Sequence, residues 1–336
     1  MFDLGSINFI TFTPLFLFLL SVCFVFFVIK RNFSKKIVGK DINKLNEPLV
    51  AESVGVALVV PFWLIIFSYF FFFGFELKLL FVGFAVSVFA LIGFVDDSKN
   101  KFLSKPLSWI QRALPIAFVS LIVAYLLFTP TSIFDFFGVI IVIILALYFA
   151  GIASFSNTFE GLNGWTIGSS FIITSIITLV AIQVSQELSF LFFSLNAIIL
   201  GLLVFNRFPA KAFPGDSGTL LIGSSIAGFA LYSQNIYFVI FVFLLFIPHM
   251  IDFFLLKMLT NRDDATQRKF RPYTLLKNGK LSIPNYPDKK TRYDFAKLII
   301  KIFGPRREWE IVLLIWLIVL LNSVIWVSIF LNYFVL

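Results

Sequence analysis

Four short polar segments hold most of the side chains in this 336-residue chain that could do chemistry: "GKDINKLNEPLVAESVG" (39–55), "GFVDDSKNKFLSKP" (93–106), "SNTFEGLNGW" (156–165) and "FPAKAFPGDSG" (208–218). A basic stretch at 257–310 follows them. The carboxylates of Asp96, Asp97 and Asp216, with the amide oxygen of Asn157, are hard oxygen ligands suited to Mg²⁺, which binds through a few carboxylates plus substrate phosphates. Zinc has no credible ligand set, because His249 is the only histidine. Pro214-Gly215-Asp216-Ser217-Gly218 puts a carboxylate on a Gly-flanked turn at the start of a helix. Backbone N–H groups and the helix dipole favour an anion there, which fits a diphosphate held between metal and helix end. Arg268, Lys269 and Arg271 add positive charge, and arginine suits bidentate phosphate contact. Together these are the parts of a phosphoryl-transfer site. Taken singly they mean little: paired Asp residues at a helix end are often a solvated terminus, Asn163-Gly164 is by default a turn, and Glu52 and Asn100 are common residues. Their joint placement is what carries the reading.

That placement is set by the rest of the chain, which is 60% hydrophobic and 13% charged, with a mean hydropathy of +0.98. Such a composition excludes a water-soluble enzyme, and the single cysteine excludes a disulfide scaffold. A bilayer core about 30 Å thick needs roughly 20 apolar residues of helix. The sequence predicts an all-α polytopic membrane protein, a single integral domain over 1–336. About ten transmembrane helices are expected, near 9–29, 54–74, 79–95, 110–128, 136–153, 165–184, 188–205, 218–233, 236–256 and 311–333. Ten spans make nine loops. The odd-numbered ones hold six, four (Arg112 included), none, two and fourteen Lys and Arg, so that of the 27 in the chain only Lys78 falls in an even loop. The positive-inside rule then places every polar segment on the cytoplasmic face and both termini outside. For the same reason the net charge of +9 reads as a topology signal and does not call for a nucleic-acid partner.

The even loops are little more than turns, so function is expected on the cytoplasmic side. The last odd loop, 257–310, is expected to form a small basic cap, with Asn278-Gly279 as a hairpin turn. Arg112 and Asp252 fall near predicted helix ends, and the spans are otherwise almost bare of charge. No buried charge pair of the kind that marks proton-coupled pumps is therefore expected.

The four segments resemble the polyprenyl-phosphate N-acetylhexosamine-1-phosphate transferase superfamily over about residues 39–281. They are closest to its archaeal and eukaryotic branch, the UDP-N-acetylglucosamine and dolichyl-phosphate N-acetylglucosamine-1-phosphate transferases. The carrying motifs are "GKDxNK" with "ESxG", "GFxDDxxN", "NxxxGxNG", "FxGD" and a late "NGKL"-like segment. Bacterial members that make the peptidoglycan lipid precursor have a His-rich motif in the last cytoplasmic loop, and this chain has no histidine there. The resemblance implies that Asp216 and Asn157 are magnesium ligands, with Asp96, Asp97 and Asn100 near the lipid phosphate and Lys105 neutralising phosphate charge. It further implies that Asn163 contacts the uracil, Phe213 stacks on it, and Glu52 shapes the nucleotide-sugar pocket. Arg268, Lys269 or Arg271 would serve the diphosphate and N-acetyl sugar. The departures are Ser154, where the family often has an asparagine, and the spacing of "RKFRPY".

The expected activity is a Mg²⁺-dependent transfer of N-acetylglucosamine-1-phosphate from UDP-GlcNAc to a dolichyl-type polyprenyl phosphate. It would release UMP and initiate lipid-linked oligosaccharide synthesis for N-glycosylation. The expected setting is the cell membrane, or the endoplasmic reticulum membrane in a eukaryote, with a homodimer implied by the family. Two alternatives keep the superfamily but change the sugar or the polyprenol. Another is a nucleotide-sugar transporter, which would be expected to carry polar groups near the bilayer midplane, where this chain is bare. A membrane prenyltransferase typically pairs two DxxxD-type motifs, and here the second acidic centre is the lone Asp216.

Overall fold

The computed structural model describes residues 4–103, 107–128, 136–260, 271–284 and 292–332, with backbone only for 4–11 and 99–103. Each of the ten predicted apolar runs is a helix. In chain order they are α1 (Leu4–Ser34), α2 (Val59–Phe73), α3 (Leu77–Leu103), α4 (Trp109–Phe128), α5 (Phe136–Thr158), α6 (Trp165–Val184), α7 (Gln186–Asn206), α8 (Gly215–Tyr232), α9 (Ile236–Leu245), continued by α10 (Ile247–Met250), and after a short α11 (Phe295–Phe303) the last, α12 (Glu308–Phe330). Among the described residues eight helices are long and apolar enough to cross a membrane. A ninth crossing is added if α9 and the segment 247–258, bent by 52°, count as one span. The chain is an all-α polytopic membrane protein.

The eighth run, α8, differs from the others for a physical reason. It carries Asp216, Ser217, Ser224 and Ser225, and every residue from Ser217 to Leu231 is buried, enclosed chiefly by α3 and α5. Ser224 and Ser225 donate back to the carbonyls of Leu220 and Leu221 at 2.6 and 2.7 Å, so their hydroxyls are satisfied within the helix. Small residues let neighbouring backbones close in. A Cβ on Gly55 would stand 2.5 Å from the Gly218 nitrogen, and one on Gly93 would stand 2.5 Å from the Asp216 carbonyl oxygen. These two glycines fix how closely α3 and loop one approach the start of α8.

Helix ends are closed by side chains where the sequence offers them. Ser185 accepts from Leu188 N at 3.1 Å, Asn235 accepts from Tyr237 N at 3.0 Å, and Asp294 accepts from Lys297 N at 2.8 Å. Among the described residues the strands form two small hairpins. In loop one β1 (Val38–Lys40) pairs antiparallel with β2 (Leu49–Ala51), and in the last loop β3 (Thr274–Leu275) pairs with β4 (Leu281–Ser282). Asn278-Gly279 is the turn of the second, with Gly279 at φ +76°.

A charge pair is nevertheless buried in the bent span. Asp252, fully buried, pairs with Lys257 at 2.7 Å, and its other oxygen accepts from Phe295 N at 2.9 Å. Residues five apart do not face each other on an α-helix, but 251–258 is wound as a π-helix, which brings them together. Asp252 thereby ties the bent span to the first residue of α11.

Candidate active site

The start of α8 is built from three directions. Phe213 N donates to Ala51 O at 2.8 Å, Val54 N to Phe213 O at 3.0 Å, and Gly55 N to Pro214 O at 2.8 Å. The "ESVG" segment of loop one is thus stitched to the strand-like approach of "FPGD". From α3, Asp97 reaches across. Its Oδ1 accepts from Asp216 N at 3.1 Å and its Oδ2 from Ser217 N at 3.4 Å and Ser217 Oγ at 3.3 Å. The anion held by the α8 N-terminus is therefore a carboxylate of the protein itself. Two of the first-turn N–H groups, those of Asp216 and Ser217, are thus taken by Asp97.

Asp96 faces the other way. It is 5% exposed, its Oδ1 accepts from Leu107 N at 2.5 Å, and its Oδ2 accepts from Arg112 Nη1 at 3.1 Å. The same Nη1 lies 3.4 Å from Asp216 Oδ2. One guanidinium nitrogen is shared by two carboxylates from two helices. Sequence reading assigned Arg112 to topology alone, and here it joins the acidic centre. Its signal was available: α4 begins just after the "DDSKN" segment, so its first turn returns to the site.

Beside this centre lies a cavity of about 590 Å³ whose wall includes Glu52, Asp97, Glu160, Asn163, Phe213 and Asp216. The volume is in the range of small-ligand sites, about 300–1,000 Å³. Glu52 is fixed by its backbone, with Asn32 Nδ2 donating to its carbonyl at 2.7 Å, and its side chain lies over Gly39, where a Cβ would stand 2.8 Å from the Glu52 Cδ. Glu160 was passed over in the sequence, although it sits one residue ahead of "GLNG". Its carboxyl opens into the cavity yet is surrounded by protein mass. Burial raises it to about 7, with Lys257 opposing and Asp97 adding to the rise.

Asn163 lines the cavity but its amide is engaged. Its Nδ2 donates to Asp41 Oδ2 at 2.8 Å and its backbone N–H to Glu308 Oε1 at 2.8 Å. Lys44 bridges Asp41, at 3.2 Å, and Glu308. This buried network ties loop one, the 160s loop and the first turn of α12 into one rim. Asp41, Lys44 and Glu308 are functional-site supports that spacing alone could not pair. Next to it Gly164 N donates to Asn206 Oδ1 at 3.2 Å, while Asn206 Nδ2 donates to Ala212 O at 2.9 Å.

The remaining expected residues divide. Asn157 is one turn of α8 away from Asp216, its Oδ1 accepting from Thr219 Oγ1 at 2.6 Å. Arg271 is half exposed and turned to loop one, donating to Ile42 O at 3.2 Å and pairing with Glu47. Lys105, Arg268 and Lys269, and the side chain of Asn100, lie outside the described residues. For a Mg²⁺ ion the expected ligands were Asn157 and Asp216; the Asn157 Oδ1 accepts from Thr219, while Asp96 and Asp216 are the carboxylates whose Oδ2 atoms converge on one cationic nitrogen. Among the described residues no group of three or more His, Cys, Asp or Glu forms a cage. Two carboxylates plus substrate phosphates is the kind of site Mg²⁺ accepts.

The structure is that of a polytopic membrane protein with an acidic cavity, lined by Asp97, Glu160 and Asp216 and flanked by Asp96 and Arg112. Comparison with known proteins makes this specific. The chain belongs to glycosyl transferase family 4, whose model matches residues 79–234, on the archaeal branch of the polyprenyl-phosphate N-acetylhexosamine-1-phosphate transferases. It is 31% identical over 327 residues to a provisionally named glycosyltransferase of Methanocaldococcus jannaschii, covering 93% of each chain. A provisionally named UDP-N-acetylglucosamine-dolichyl-phosphate N-acetylglucosaminephosphotransferase of Sulfolobus acidocaldarius is 28% identical over 311 residues, 88% of this chain and 87% of the relative. A phospho-N-acetylmuramoyl-pentapeptide-transferase of Listeria welshimeri is 27% identical over 248 residues, 67% and 74% of the two.

Proposed function

We propose that the chain transfers N-acetylglucosamine-1-phosphate from UDP-GlcNAc to a dolichyl-type polyprenyl phosphate, releasing UMP, as the opening step of lipid-linked oligosaccharide synthesis. The observation that carries the reading is the convergence of Asp96 and Asp216 on one cationic position beside a nucleotide-sized cavity. The motif set and the name of the Sulfolobus acidocaldarius relative support the donor and acceptor. The basic loops support a cytoplasmic active site in the cell membrane.

A lipid phosphate has its second pKa near 6 and is mostly dianionic at neutral pH. Its oxygen attacks the β-phosphorus of the donor, the bond from that phosphorus to the bridging oxygen breaks, and the electron pair leaves with UMP. Mg²⁺ bound by Asp96 and Asp216 would supply charge stabilisation on the diphosphate. Phe213 offers a half-buried ring for the uracil, and Glu52 and Asn163 shape the adjoining wall. Asp97 holds α8, and through it Asp216, in place. The direct attack needs no dedicated base.

The test is UMP release by purified protein in detergent with Mg²⁺, UDP-GlcNAc or UDP-GalNAc, and dolichyl phosphate. Release that requires both lipid and metal and prefers UDP-GlcNAc is the expected result. UDP-GlcNAc uptake into vesicles with no UMP formed would point to transport instead.

Two further outcomes follow from the cavity wall. Phe213→Ala is expected to raise the KM for the nucleotide sugar by about tenfold, the worth of one aromatic stacking contact of roughly 1–1.5 kcal/mol, with kcat little changed. An unchanged KM would remove the stacking role. Glu160, raised to about 7, is mostly protonated at pH 6 and mostly ionised at pH 8. Ionisation adds a negative charge to the cavity wall, and burial together with the Glu160 and Asp97 charges raises the Asp216 carboxyl to about 8, so apparent Mg²⁺ affinity is expected to rise across that interval. Glu160→Gln should flatten the rise, and an identical pH profile in that variant would remove Glu160 from the account.

A further inference from the structure

Arg112 occupies the first turn of α4 with about a third of its side chain exposed, and one nitrogen of its guanidinium spans Asp96 Oδ2 at 3.1 Å and Asp216 Oδ2 at 3.4 Å. This is the contact of a bridging cation. A bidentate Arg–carboxylate pair would instead present two nitrogens to the two oxygens of one partner. The Asp96 carboxylate and the Asp216 backbone are held without Arg112. Asp96 is held from its other oxygen by Leu107 N at 2.5 Å, and the Asp216 backbone is held by Asp97 at 3.1 Å and crowded by Gly93. What the guanidinium contributes is therefore charge: two carboxylates brought this close repel each other unless a cation lies between them.

A Mg²⁺ ion binds oxygen at about 2.0–2.1 Å. Two oxygens that already share a guanidinium nitrogen at about 3 Å cannot close around a metal while that nitrogen stays between them. We infer that Arg112 is a tethered counter-cation that competes with the divalent ion for Asp96 and Asp216, so that loading the metal is an exchange in which the guanidinium leaves the pair. The inference rests on the proposed reading of Asp216 as a cation ligand. Arginine suits the task because it is always charged and is more weakly hydrated than an ammonium, so it stays paired until a stronger competitor arrives.

The test uses the purified full-length protein in detergent, without substrates, and reads free Mn²⁺ by electron paramagnetic resonance. Arg112→Gln is expected to tighten Mn²⁺ binding by about tenfold, as one opposing charge is removed beside the ion. Arg112→Lys, whose more strongly hydrated ammonium gives up the pair more readily, should tighten it by about two- to threefold and carries the test if the glutamine variant is not monodisperse. Asp216→Asn should weaken binding strongly. If Asp216→Asn abolishes binding while neither Arg112 variant tightens it, Arg112 is a structural strut and the exchange is wrong, with the metal reading intact. If Asp216→Asn leaves Mn²⁺ binding unchanged, the metal reading fails and the exchange with it.

Discussion

Asp216→Asn is expected to lower UMP release by at least about a thousandfold while leaving the protein folded. The side chain keeps its size, and the contacts that shape the start of α8 are made by the backbone of residue 216, whose N–H donates to Asp97 and whose carbonyl packs on Gly93. What is lost is the negative charge at Oδ2, one of the two that meet at Arg112. A charge that stabilises a transferring phosphoryl group is worth about 4 kcal/mol or more in a site of this kind, and each 1.36 kcal/mol is a factor of ten in rate. The melting temperature in detergent should move by no more than about 2 °C, since Arg112 keeps its contact with Asp96. Activity within tenfold of the parent would mean that Asp216 takes no part in the chemistry.

The helices were legible because a bilayer imposes a length filter that few sequences satisfy by accident: some twenty apolar residues bounded by charge, Gly or Pro. The bend was not. The run 236–256 reads as one uninterrupted span, and its break at Phe246–Ile247 follows from Pro248, which lacks an N–H and starts a new helical segment. Beyond it the π winding puts Lys257 beside Asp252, a pairing invisible to any rule built on spacings of three and four.

The site was legible as an inventory and illegible as a set of partners. Loop placement brought Asp96, Asp97, Glu52, Asn163, Phe213 and Asp216 to one face, and five of these line one cavity with Asp96 immediately behind. Which oxygen meets which donor is decided by packing between residues far apart in the chain, such as Asp97 with the N–H of Asp216 or Asn163 with Asp41. Arg112 illustrates the limit. A basic residue at a helix end satisfies the positive-inside rule wherever its side chain turns, so the rule that located it concealed what it touches.

The adjacent aspartates should fail differently, and the difference bears on the mechanism. Asp97 gives both oxygens to the first turn of α8, accepting from two backbone N–H groups and the Ser217 hydroxyl. Asp97→Asn puts an amide NH₂ where one acceptor was, facing a donor, and removes the charge that complements the helix dipole. Loss of a helix cap costs about 0.5–2 kcal/mol, so a lower melting temperature is expected together with a drop in turnover of about a hundredfold as Asp216 shifts. Asp216→Asn should lose activity without that loss of stability. A covalent aspartyl mechanism at Asp97 would require one of these oxygens to leave its donors and attack the donor phosphorus, releasing UMP before any lipid arrives. The caps argue against that movement, and wild-type protein mixed with UDP-GlcNAc and Mg²⁺ alone should release no UMP. A burst equal to the enzyme concentration, absent in Asp97→Asn, would make Asp97 the nucleophile and its contacts to α8 a resting arrangement that catalysis breaks.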